Sequence, residues 1–204
     1  MTPHPFPRLR WAALAWLAAW LPAYWVFYGP VVFLNLCDIA VILTCVGLWR
    51  GSALLLSTQA LSSLVIDAAW LLDLLWRAAI GSHLIGGTEY MWDPAYPAWL
   101  RALSLFHVLL PAALLHGLRR LGYDRRALGA QSALAAAVLV ASRAVGPGVN
   151  ANFAFTDPIF GRGWGPAPVH LAAILAGLVL VYAATALVLR RWLPPPQRPE
   201  ASAA

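Results

Sequence analysis

The chain has no lysine, only two cysteines and two methionines, and few charges of either sign. Each shortage excludes something. Charged residues make up 11% of the 204, where a soluble domain carries about 25%. Hydrophobic residues make up 61% and the mean hydropathy is +0.70, which points to a membrane protein. Cys37 and Cys45 lie eight apart in one apolar run, about 12 Å along a helix at 1.5 Å per residue. That is beyond the roughly 7 Å Cα separation a disulfide tolerates, so no internal bridge is expected. Phosphate loops, GxSxG elbows, HExxH and paired CxxC motifs are all lacking, which removes the familiar soluble-enzyme classes. His83, Glu89 and Asp93 share one loop but lack metal-ligand spacing, so neither a metal nor a cofactor is expected. The net charge of +6 comes from arginines that flank apolar runs. Such arginines set topology and meet lipid headgroups, so nucleic acid is not an expected partner.

Six apolar segments remain, at about 11–28, 31–49, 53–78, 98–118, 127–146 and 167–192. Each is near the roughly 20 residues that cross a bilayer. The expected fold is all-α, a compact bundle of six transmembrane helices in one domain over 11–193. Residues 1–10 are expected to be cytoplasmic, and 194–204 a disordered Pro-rich cytoplasmic tail. The first segment has a basic start, but no clean cleavage site follows, so it reads as a retained span rather than a signal peptide. With the N-terminus inside, ten arginines fall on the cytoplasmic side, against Arg77, Arg101, Arg143 and Arg162 outside. The positive-inside rule then gives a multi-pass protein of the cell (inner) membrane with both termini cytoplasmic.

Ionisable groups are costly at mid-membrane and usually face the bundle interior. Asn35 and Asp38 are three apart on the second segment, beside Cys37. Gln59, Ser63 and Asp67 form a stripe at four-residue steps on the third. Asp73 and Arg77 follow in the favourable i,i+4 order and read as a structural ion pair. Ser104 and His107 lie on the fourth segment, Asn150 and Asn152 follow the fifth, and His170 begins the sixth. Counted along their spans, Cys37, Asp38, Asp67, Asp73, His107, Asn150, Asn152 and His170 reach similar depth in the outer half, where they would form one polar pocket if their faces converge. Plainer roles compete. His107 can serve a neighbouring backbone, Cys37 can simply pack, Gln59 and Ser63 can bond between helices, and the two asparagines can satisfy loop backbone.

The motifs "LNLCDIAVIL" at 34–43, "LFHVLLP" at 105–111, "GVNANFAF" at 148–155 and "GWGPAPVHL" at 163–171 resemble the transmembrane protein 164 acyltransferase family and bacterial YwaF-like integral membrane proteins. The chain also resembles uncharacterised bacterial membrane-associated proteins. In the bacterial relatives the first motif commonly reads Leu-His-Leu-Cys; Asn35 stands at the histidine position here. The resemblance implies a lipid acyltransferase with Cys37 as nucleophile and His107 as base, both in the outer half of the bilayer. Asn35 or Asn150 would donate to the oxyanion, and Asp38 or Asp67 would orient the histidine. Membrane lipid would be the substrate. The alternative is a non-catalytic lipid- or partner-binding membrane protein, or a small transport subunit working through its aspartates, His107 and Arg77.

Overall fold

The computed structural model describes residues 3–196. Among them every regular element is helical: α1 (Leu9–Tyr28), α2 (Leu36–Arg50), α3 (Ala53–Ile80), α4 (Ala98–Leu103), α5 (Phe106–Leu121), α6 (Ala127–Ser142) and α7 (Ala167–Trp192). Short 3-10 turns cover Pro30–Leu34, Glu89–Met91, Arg143–Val145 and Ala151–Phe153. The all-α expectation holds.

Local chemistry sets the breaks. Gly51 ends α2 in the left-handed region at φ 61°, where a side chain would strain the backbone. Ser52 then starts α3, its hydroxyl accepting the Leu55 N–H at 3.3 Å. The segment expected over 98–118 is divided at Ser104–Leu105, where the bonds tighten to Ser104 N–H on Arg101 O and Leu105 N–H on Ala102 O. Pro111, inside α5, has no N–H for the carbonyl of His107, one turn earlier. His107 therefore sits between a tightened turn and a proline.

The helices alternate in direction. At one end His4 bonds the Trp49 carbonyl, Arg120 donates to Pro5 O, and the Asp124 N–H reaches Ser57 Oγ. This end also holds Arg50, Arg119, Arg126 and Arg190, and we call it the arginine-rich end. At the opposite, loop end, Tyr28 packs on Tyr90 and Tyr96, and Phe27 packs on Trp99. α3 runs through the middle, packed against α2, α5, α6 and α7. The 194–204 tail falls mostly outside the described residues. Its start is held rather than loose, since Pro194 O accepts the Tyr123 N–H at 2.8 Å.

Four stretches are long and apolar enough to cross a membrane: 53–80, 98–121 (α4 with α5), 127–145 and 167–192. The six expected segments are thus met in part. α2 has 15 residues because the 3-10 turn and the extended Asn35 replace its first helical turns. α1 has 20 residues but carries Arg10, Pro22 and four tryptophans, which lower its hydropathy. The outer faces are apolar: Ile66, Leu75 and Ile80 of α3 and Leu180, Leu187 and Val188 of α7 are all exposed. An exposed apolar girdle around a core that includes buried Asp38, Asp67, Asp73 and Gln131 is the inverse of a soluble domain's layout.

Candidate functional site

Asp67 and His107 meet across the α3–α5 contact. Nδ1 of His107 lies 2.8 Å from Oδ1 of Asp67. A carboxylate accepts, so Nδ1 is the donor and Nε2 is the ring's other, free nitrogen. Among the described residues no hydrogen bond involves Nε2. Trp70 stacks on one side of the imidazole with ring centroids 4.5 Å apart, and Phe106 stacks beside it at 4.1 Å. Trp70 is one turn beyond Asp67, so one face of α3 supplies both the carboxylate and the wall that fixes the ring. His107 is 7% exposed and Asp67 1%. The reading of His107 as a mere backbone partner is not what forms.

Cys37 and Asp38 occupy the first turn of α2. An acid there is favoured by the helix dipole and by unpaired N–H groups. Asn35, just before the helix, donates its amide to Val32 O at 2.9 Å and to Asp38 Oδ2 at 3.2 Å. The half-buried Cys37 has one polar partner, Asp38 Oδ2, at 3.9 Å from Sγ. α2 packs against both α3 and α5, the two helices that carry the Asp67–His107 pair. Cys37 and His107 themselves are not in hydrogen-bond contact.

Two tyrosines complete the cluster. Tyr24 of α1 and Ser104 share a hydrogen bond of 2.6 Å. Tyr90, from the loop after α3, lies beside Ser104 and Trp70. Desolvation pushes the Tyr90 hydroxyl well above its ordinary value, so it stays protonated and able to donate. Neither tyrosine was assigned a site role from the sequence, because Tyr24 in an apolar run and Tyr90 in an aromatic-rich loop both read as interfacial belt residues. The signal available was Ser104, whose depth matches that of His107.

Other expected site residues lie apart. Asn150 is committed to its own loop: its amide donates to Thr156 O and Oγ1, and its carbonyl accepts the Phe155 and Thr156 N–H groups. It is a loop organiser and has no hydrogen left for an oxyanion. Asn35 is likewise fully used as a donor. Asn152 bolts this loop to α2, accepting the Leu36 N–H at 2.9 Å and donating to Leu34 O and Ser142 Oγ. His170 bonds Phe153 O at 2.9 Å, holding a residue whose φ is +58°.

The expected Asp73–Arg77 ion pair does not form. Asp73 is the hub of the loop that follows α3. It accepts the N–H groups of Leu84, Ile85 and Gly86, the Thr88 hydroxyl, and His83 Nδ1 at 2.9 Å. Arg77 instead faces the Trp92 ring at 5.9 Å. His83 is therefore a partner of Asp73 rather than a solvated residue. Among the described residues no group of three or more His, Cys, Asp or Glu could hold a metal ion.

Surface hollows at the arginine-rich end, along Leu187 to Trp192 and between Phe6, His116 and Arg120, do not reach the cluster. The arrangement is a closed polar knot under stacked aromatics. It can hold a proton on an oriented imidazole, and it places a thiol nearby. Set against protein-family models, curated proteins and solved structures, the chain matches none.

Proposed function

We propose that this protein crosses the cell membrane six times with both ends cytoplasmic, and that it transfers an acyl chain between lipids through Cys37 and His107. The alternating helix directions and the arginine-rich end support the topology. α1 covers about 30 Å, and the 3-10 turn with α2 would cover about 32 Å end to end, both near bilayer thickness.

The observation that carries the chemical reading is the 2.8 Å Asp67–His107 bond between two helices that both pack against α2, the helix of Cys37. A carboxylate on Nδ1 fixes the tautomer and leaves Nε2 as the base, the division of labour in acyl-transfer triads. In the first half-reaction Nε2 takes the thiol proton and Sγ attacks the ester carbonyl of a phospholipid. The C–O bond breaks, and the leaving glycerol oxygen takes the proton from His107, giving acyl-Cys37 and a lysolipid. In the second, a lysolipid hydroxyl attacks the thioester with His107 as base, and the proton returns to Sγ. Tyr90 and Ser104 take the place of Asn35 and Asn150 as candidate oxyanion donors. Sγ must leave Asp38 and approach Nε2 for the first step.

The competing reading, a non-catalytic lipid- or partner-binding protein or transport subunit, is favoured by one observation: the thiol touches Asp38 and not His107. The two separate in one assay. The full chain in nanodiscs receives a phospholipid with a deuterated acyl chain and an unlabelled lysophospholipid acceptor, and labelled acceptor is measured by mass spectrometry. Transfer that disappears in Cys37→Ala supports acyl transfer. Folded protein that transfers nothing, or a Cys37→Ala variant that transfers normally, overturns it.

A further inference from the structure

On the α3 stripe Gln59–Ser63–Asp67, Gln59 and Ser63 were expected to bond between helices and neither does, while Asp67 does so through Oδ1 alone, to His107. Gln59 Nε2 donates to Thr58 Oγ1 on its own helix at 3.0 Å, while Gln59 Oε1, Ser63 Oγ and Asp67 Oδ2 have no partner. All three residues are 1% exposed. Two neighbours share the condition. Gln131 of α6 is fully buried with both its amide oxygen and nitrogen unpartnered, and Thr44 Oγ1 of α2 is also unpartnered. α2 and α6 both pack along α3. Measured from the arginine-rich ends of their helices, Thr44, Gln59 and Gln131 lie at similar depth, about 6–9 Å in. The Tyr182 hydroxyl lies beside Gln131 and Ser62, which extends the polar zone to α7.

An unsatisfied buried polar atom costs roughly 1–3 kcal/mol, and the hydrocarbon outside supplies nothing to relieve it. Six such atoms on three adjoining helices call for an occupant. The set is mixed: Gln131 offers both a donor and an acceptor, Ser63 and Thr44 can do either, and Gln59 Oε1 and Asp67 Oδ2 only accept. A ligand that meets all of them must be able both to donate and to accept. Steps of four residues along α3 are about 6 Å, close to two hydrogen-bond lengths of about 2.8 Å, the gap one water bridges. We propose that the Gln59–Ser63–Asp67 stripe, with Thr44 and Gln131, binds a file of internal water molecules that runs along α3 from near the arginine-rich end to the Asp67–His107 pair. Buried water of this kind normally makes about three bonds to otherwise unpaired groups. The file holds whether or not Cys37 carries an acyl group, so it stands apart from the acyl-transfer reading.

Water-edited solid-state NMR on the full chain in nanodiscs, with glutamine side chains labelled with 15N, tests this. Gln59 and Gln131 are assigned by difference against Gln59→Leu and Gln131→Leu. Magnetisation from water should reach both side-chain amides several-fold faster than the backbone amides of fully buried Leu114 and Leu118. Ser63→Val fills the step between Gln59 and Asp67 and should slow transfer to Gln59 at least twofold. Build-up at the two glutamines as slow as at Leu114 and Leu118 overturns the proposal. An unchanged Gln59 rate in Ser63→Val overturns the single file.

Discussion

The buried and half-buried polar residues divide into two groups that look alike in sequence and behave oppositely in the fold. At the loop end Asp73, Asn150 and Asn152 are saturated: Asp73 and Asn152 tie a loop to a helix, and Asn150 ties its loop to itself. Along α3 and its neighbours Gln59, Ser63, Asp67, Thr44 and Gln131 keep unpartnered atoms. Saturation is the mark of a structural role, because every bond is spent on the chain itself. Spare capacity in a place where it is costly marks residues kept for something other than the chain. His107 belongs to the second group, with one nitrogen fixed by Asp67 and the other free.

The largest effect should come from the saturated group. Asp73→Ala removes the acceptor for three backbone N–H groups, Thr88 and His83, and should cost about 3 kcal/mol or more. A thermal unfolding midpoint in detergent unchanged from wild type would break the comparison. Asp67→Asn should have the opposite profile. It should keep the fold but lower acyl transfer by about 10²-fold or more, since the imidazole loses its orienting charge. A large loss of stability with normal transfer per folded molecule would move Asp67 to the structural group.

Asn152→Ala comes next, at about 1–2 kcal/mol, because the loop after α6 loses its bolt to α2 and Ala tolerates φ +51° less well than Asn. Ser63→Ala should be smaller still, within about 0.5 kcal/mol, because the hydroxyl has no protein partner to abandon. A cost near that of Asn152→Ala would show that the Ser63 hydroxyl has a protein partner.

The smallest effect is a pH dependence. The Arg126 guanidinium holds the Asp124 carboxyl below its ordinary value. A depressed acid contributes its stability in full above the unfolded value of about 3.9 and loses it as pH falls through the lower folded value. Unfolding midpoints compared between wild type and Asp124→Asn should therefore converge below about pH 4 and separate above it. Midpoints that stay parallel would remove this contribution.

Much of the frame was legible in the sequence. Apolar runs marked the helices, Gly51-Ser52 marked the turn between α2 and α3, and counting residues along spans put Asp67 and His107 at one level. What was not legible depended on chain return. The spacing of Asp73 and Arg77 offered one guanidinium; the folded loop offered three N–H groups, a hydroxyl and an imidazole at once, and a buried carboxylate takes the larger set. Asn35 and Asn150 looked free as donors because nothing in a linear pattern shows that Asp38 and Thr156 consume their hydrogens. The division of 98–121 at Ser104 escaped notice for a similar reason, since its hydroxyl is fixed by Tyr24, 80 positions away.

The most direct test is the intact mass of the purified, folded protein after incubation with a single defined phospholipid. An added acyl mass on Cys37, absent in Cys37→Ser and in His107→Ala, is the expected result. A folded, lipid-bound protein that gains no acyl mass at Cys37 would contradict it.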